Sequence, residues 1–96
     1  MGLEDLYFEY MSNGNEYKKL AEKFEARDES GLARINYSHS LKWFKKALIL
    51  ITSHSKYEKH KHQPKIEKYV RDAEWECNHC NEKIEMLNGH HTLNRL

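Results

Sequence analysis

Cys77-x-x-Cys80, followed by His90 and His91, comes nearest to reactive chemistry in this chain. Zinc takes four ligands converging on a tetrahedron, and compact fingers supply a Cys pair and then a His pair spaced three to five residues apart. Adjacent histidines cannot provide that second pair, so a site would rest on Cys77, Cys80, His90 and a further donor such as His79. The same cysteines fall in register with Ala73 and Ile84 on an apolar stripe, where a free thiol packs as a small hydrophobe. The expectation is core cysteines and no cofactor, with zinc at Cys77, Cys80 and His90 as the metal alternative. His54, His60 and His62 form a second group beside Lys56, Lys59 and Lys61. Imidazoles titrate between about pH 5 and 8 and bind metals. In so polar and basic a run they read as a solvated linker.

Arg34-x₄-His39 is similar to the arginine-to-histidine spacing of HEPN ribonucleases. Seven histidines in 96 residues produce such spacings by chance, and no acidic or polar element accompanies this one in a recognisable arrangement. No P-loop, Ser-His-Asp order or EF-hand loop is present. The chain is expected not to be an enzyme.

Composition narrows the remaining classes. Ninety-six residues, 39% hydrophobic and 32% charged, make one domain spanning 1–96 with a modest core. A formal charge of +1 argues against holding nucleic acid by bulk electrostatics. No apolar run approaches the roughly 20 residues that span a bilayer, so no membrane insertion is expected. Met1-Gly2-Leu3-Glu4-Asp5 lacks the basic start of a signal peptide. Gly2 is followed by Leu6 where a myristoylation signal has Ser or Thr. Two cysteines without a secretory signal suit a reducing compartment, and a cytoplasmic protein is expected.

The elements that must position these residues follow from periodicity. Ile66, Tyr69/Val70, Ala73, Cys77, Cys80, Ile84 and Leu87 recur at threes and fours, as one face of a helix requires. Tyr37, Leu41, Phe44, Leu48 and Ile51 form a similar stripe, with Trp43, Ala47 and Leu50 on a second face. A helix apolar on two faces must be covered on two sides, which makes this one the middle helix. Pro64 suits the first turn of the last helix, where its missing N–H has no partner to lose. Asn88-Gly89 reads as its stop, leaving 89–96 as a tail. Upstream, Leu3, Leu6, Tyr7, Tyr10 and Met11 predict a short accessory helix over 1–12, ended by the turn residues Ser12-Asn13-Gly14-Asn15. Asn15 then caps a helix carrying Tyr17, Leu20, Ala21 and Phe24, which runs out near Glu29-Ser30-Gly31. The fold class is all-α: an antiparallel three-helix bundle with its core over 16–88 and an extra short N-terminal helix.

Asn36-Tyr37-Ser38-His39-Ser40-Leu41-Lys42-Trp43-Phe44-Lys45-Lys46-Ala47-Leu48 resembles the second helix of MIT (microtubule interacting and trafficking) domains. Lys68-Tyr69-Val70-Arg71-Asp72-Ala73-Glu74 resembles their third. The resemblance covers roughly residues 16 to 85 and rests largely on packing patterns shared with tetratricopeptide hairpins. It implies a three-helix adaptor that binds amphipathic peptide segments of ESCRT-III-like partners in endosomal trafficking. Carried over by position, Val70 is the pocket aliphatic and Glu74 the acid that pairs with a basic peptide residue; Ile66 and Cys77 complete the expected peptide-binding set. Two departures stand against it. The joint from Arg27 to Arg34 is longer than usual, and Val70 replaces the common Leu.

Lys18-Lys19-Leu20, Lys23, Ala26 and Asn36-Tyr37 are also similar to the C-terminal homology domain of super elongation complex scaffolds. That resemblance accommodates a long first joint and implies a tetratricopeptide-like homodimerisation module in a nuclear transcription elongation factor. Tyr7, Phe8, Tyr10 and Met11 make a set too apolar to leave in water as one patch. They would supply a homodimer contact through the N-terminal segment.

Overall fold

The computed structural model of the chain describes residues 2–53, 59 and 62–93, with side chains through Asn88. Three helices account for nearly all of it: α1 (Leu3–Ala26), α2 (Ser30–Ser53) and α3 (Pro64–Leu93). The described residues include no strand. α2 runs antiparallel to both neighbours, so α1 and α3 lie parallel: Tyr7 reaches Tyr69 near one end and Glu25 reaches Lys83 near the other. The middle position expected for α2 holds. Its Ala33, Tyr37, Ser40, Phe44, Ala47 and Ile51 are all buried, while Trp43 leans on Tyr10 of α1 at 5.7 Å. The core falls into two adjoining clusters. One gathers Ala21, Ala33, Tyr37, Phe44, Cys77 and Cys80; the other gathers Tyr7, Ala47, Ile51, Tyr69 and Ala73.

The expected accessory helix and its turn are not present. α1 continues through Ser12-Asn13-Gly14-Asn15, and Leu3–Met11 is its first half. Gly14 is buried against α2. A Cβ built there would lie 2.6–2.8 Å from Phe44 ring carbons. Ser40 Oγ donates to the Gly14 carbonyl at 2.7 Å. This glycine admits a neighbouring helix rather than turning the chain. Two such contacts outweigh its weak helix propensity, about 1 kcal/mol below alanine.

The first joint is also shorter than the sequence suggested. Only Arg27, Asp28 and Glu29 separate α1 from α2, and Gly31 sits inside the first turn of α2. Glu29 N–H donates to the Phe24 carbonyl at 2.9 Å and Asp28 N–H to the Glu25 carbonyl at 3.1 Å. This bond pair defines a Schellman stop with its left-handed residue at C′. Asp28 occupies that position with φ 58°. Pro64 opens α3 as expected, since Glu67 N–H donates to the Gln63 carbonyl. The stop at Asn88-Gly89 is not made: α3 continues to Leu93. A glycine ends a helix this way by taking positive φ, and no described glycine does so.

Two substitutions test these contacts by thermal melting. Gly14→Ala gains about 1 kcal/mol of helix propensity but forces a methyl into the Phe44 ring, an overpacking cost of about 1–3 kcal/mol. The net expectation is a lower Tm, and an unchanged or higher one would show that the helices do not depend on this approach. Asp28→Gly removes a left-handed strain and should stabilise by about 0.5–1 kcal/mol, raising Tm by a few degrees.

Candidate interaction surface

α1 and α3 meet through long side chains rather than close backbones. Tyr7 Oη donates to the Tyr69 carbonyl at 2.7 Å, while the two rings stack at 4.7 Å. Lys18 Nζ binds both Glu76 oxygens, at 2.9 and 3.0 Å. Glu25 accepts from Tyr37 Oη at 2.7 Å and from Lys83 Nζ at 3.0 Å. Lys65 and Glu4 close the outer end at 2.7 Å. Partial burial pushes the Glu25 carboxyl up, yet the hydrogen bonds from Tyr37 and Lys83 outweigh it and hold it below its ordinary value. Burial, followed by the nearby Asp72 and Tyr69, drives the Tyr7 hydroxyl well above the ordinary phenol range.

The expected peptide-binding residues lie along the shoulder between α2 and α3. Ile66 and Val70 are half-buried and pack against the cluster of Tyr7, Ala47, Ile51, Tyr69 and Ala73, as does Leu48 of α2. Glu74, one turn beyond Val70, is exposed. Cys77 is only 6% exposed and belongs to the other core cluster. Its thiol is pushed up to about 11, by burial first and the neighbouring Cys80 next. Lys45 and Glu74 act on that thiol with opposite sign, so one basic and one acidic side chain flank the shoulder above it.

Cys80 is fully buried and its Sγ–H points at Ser40 Oγ, 3.5 Å away. With Ser40 bonded to the Gly14 carbonyl, a short hydrogen-bonded chain crosses all three helices. The described residues hold no group of three or more His, Cys, Asp or Glu placed to bind a metal. His54 and His60 lie outside the described residues, as does the side chain of His90. Arg34 and His39 diverge: the guanidinium donates to Asn88 of α3, whereas the imidazole lies against Tyr17 of α1. They do not form a joint site.

Trp75 had no place in the sequence reading. It is 60% exposed, stacks on His79 at 5.0 Å with the rings 8° apart, and has Lys18 Nζ 5.7 Å from its ring centroid. A shallow recess of about 200 Å³ opens there, lined by Trp75, Asn78, His79 and Glu82. The signal was its register: two residues from both Ala73 and Cys77, Trp75 falls off the apolar stripe and must face outward.

No family model, no curated protein and no solved structure matches this chain. No helix among the described residues is long and apolar enough to cross a membrane.

The α1–α3 charge pairs set an acid dependence. Because the folded Glu25 carboxyl titrates below its ordinary value, its stabilisation is present above the unfolded pKa and is lost as pH falls through the folded one. Tm should fall between about pH 5 and pH 3, with Glu25→Gln lowering Tm at neutral pH and flattening that fall. Parallel melting curves for the two proteins across this window would remove Glu25 as a contributor.

Proposed function

We propose that this chain is a non-enzymatic module that binds an amphipathic helical segment of another protein along the α2–α3 shoulder. The observation that carries this reading is the pairing of a half-buried aliphatic, Val70, with an exposed acid, Glu74, one helical turn later. Residues four apart share a helix face. An apolar step rimmed by a carboxylate suits a helix that presents leucine-type anchors and a basic residue. Leu48 extends the step onto α2. The three-residue joint removes one departure from the MIT pattern, and the parallel placement of α1 and α3 is compatible with it. On this reading the partner is a basic amphipathic peptide of the ESCRT-III type, met in the cytoplasm.

The homodimerising scaffold drew on a long first joint and on free aromatic residues at the N-terminus. The joint is short. Tyr7 is buried, and Tyr10 and Met11 pack within the same chain, leaving Phe8 as the exposed member of the set. No observation favours that alternative.

Calorimetric titration with a synthetic basic amphipathic helix tests the proposal. Wild type should bind in the micromolar range, about −8 kcal/mol. Glu74→Lys should weaken binding severalfold, as expected for a rim charge pair contributing up to about 1 kcal/mol. Val70→Asp should abolish binding while the circular dichroism spectrum stays native. An unfolded Val70→Asp together with peptide affinity indifferent to Glu74→Lys would overturn the proposal.

A further inference from the structure

The solvent-facing side of α2 carries an organised pattern that the shoulder does not use. Ile35, Lys42 and Ile49 are spaced seven residues apart and all three are exposed, the isoleucines by 48% and 61%. Seven residues are close to two helical turns, so the three side chains line up along about 21 Å of one face. Lys45 and Lys46 flank the line and are also exposed. Arg34, Lys42, Lys45 and Lys46 make α2 basic, and between Ser30 and Ser53 there is no Asp or Glu. None of the three lysines forms an ion pair among the described residues, although Lys46 lies over the Trp43 ring at 4.6 Å. α1 and α3, by contrast, hold their acids partly in pairs with their own lysines.

We infer that the outer face of α2 is a second docking seam, for a helix of another protein with apolar residues seven apart on either side of a central Asp or Glu. Ile35 and Ile49 stand two heptads apart with Lys42 midway, so the face offers a partner helix two β-branched contacts and one central charge, and a polar residue at such a position fixes register and partner choice. The charge also argues against self-pairing. Two copies joined antiparallel through α2 would set Ile35 against Ile49 but Lys42 against Lys42, with Lys45 and Lys46 adding to the repulsion. Like charges brought together across a seam disfavour that partner. The isoleucines contribute nothing to a phosphate backbone, whose recognition rests on basic and polar contacts. The occupant with a matching group for each feature is an acidic amphipathic helix.

The test uses the full chain and a fluorescein-labelled three-heptad synthetic helix with isoleucine at the outer repeat positions and glutamate at the centre, followed by anisotropy at physiological ionic strength. Wild type should bind it, and Lys42→Glu should weaken binding about tenfold. The peptide with lysine at its centre should reverse that preference, binding Lys42→Glu and not wild type. Val70→Asp and Glu74→Lys should leave this binding unchanged, which separates the seam from the shoulder. Failure of the glutamate peptide to bind, or of the swapped peptide to recover Lys42→Glu, overturns the inference. So does Lys42-dependent binding to phosphatidylserine vesicles or polyuridylate without peptide binding. A dimer in sedimentation that Ile49→Glu dissolves would overturn it in favour of a second copy of this chain.

Discussion

The bundle depends on how closely α1 and α2 approach at Gly14. With Phe44 ring carbons 2.6–2.8 Å from where the first side-chain atom of any other residue would stand, the two helices sit closer than an ordinary side chain at this position allows. That approach lets Ser40 reach the Gly14 carbonyl, and it leaves Ser40 Oγ in turn within reach of Cys80 on α3. A carbonyl inside a helix already accepts one backbone bond, and its second lone pair is free to take the hydroxyl. Buried polar groups stabilise only when they are partnered. The partners here come from three different helices, so the network fixes their register as well as their distance.

The third side of the triangle is built differently. α1 and α3 are joined by Tyr7 with the Tyr69 carbonyl, by Lys18 with Glu76, and by Glu25 with Lys83. Such pairs stabilise modestly when partly exposed, and they respond to salt and pH where apolar contacts do not. The two kinds of seam therefore divide the work. Close packing places α2 against both neighbours, while charge and hydrogen bonds supply the direct link between α1 and α3. The apolar stripe of α3 turns Tyr69 inward and leaves Glu74 and Trp75 facing solvent.

Periodicity was enough to read the all-helical class, the middle position of α2 and the burial of Cys77 and Cys80, because each depends on which residues share a face; the opening of α3 was readable from the missing N–H of Pro64. The errors came where one residue type serves two physical purposes. Gly14 among Ser12, Asn13 and Asn15 has the composition of a turn, yet it is small for the sake of Phe44, which lies thirty residues away in sequence. Gly31 looked like part of a loop but falls in a first turn, while Asp28 takes the left-handed conformation usually left to glycine. At the candidate site, the spacing of Val70 and Glu74 was visible, but their unequal exposure was not. Position 70 lies at the edge of the stripe, and only the placement of α2 determines how much of it is covered. Trp75 and the lysines of α2 were readable as outward-facing. Their organisation required knowing which acids had been taken by other partners.

An odd number of antiparallel helices has a geometric outcome. The path enters beside Leu3 and, after three passes, leaves beside Leu93 at the opposite end of a body 51 Å long and only 24 × 17 Å across. A two- or four-helix bundle would return the chain to the end at which it began. The two ends of the described chain are thus separated by nearly the full length of the body, and continuous helices make that separation stiff. Three passes make the fold a strut, with its first and last described helical residues at opposite poles.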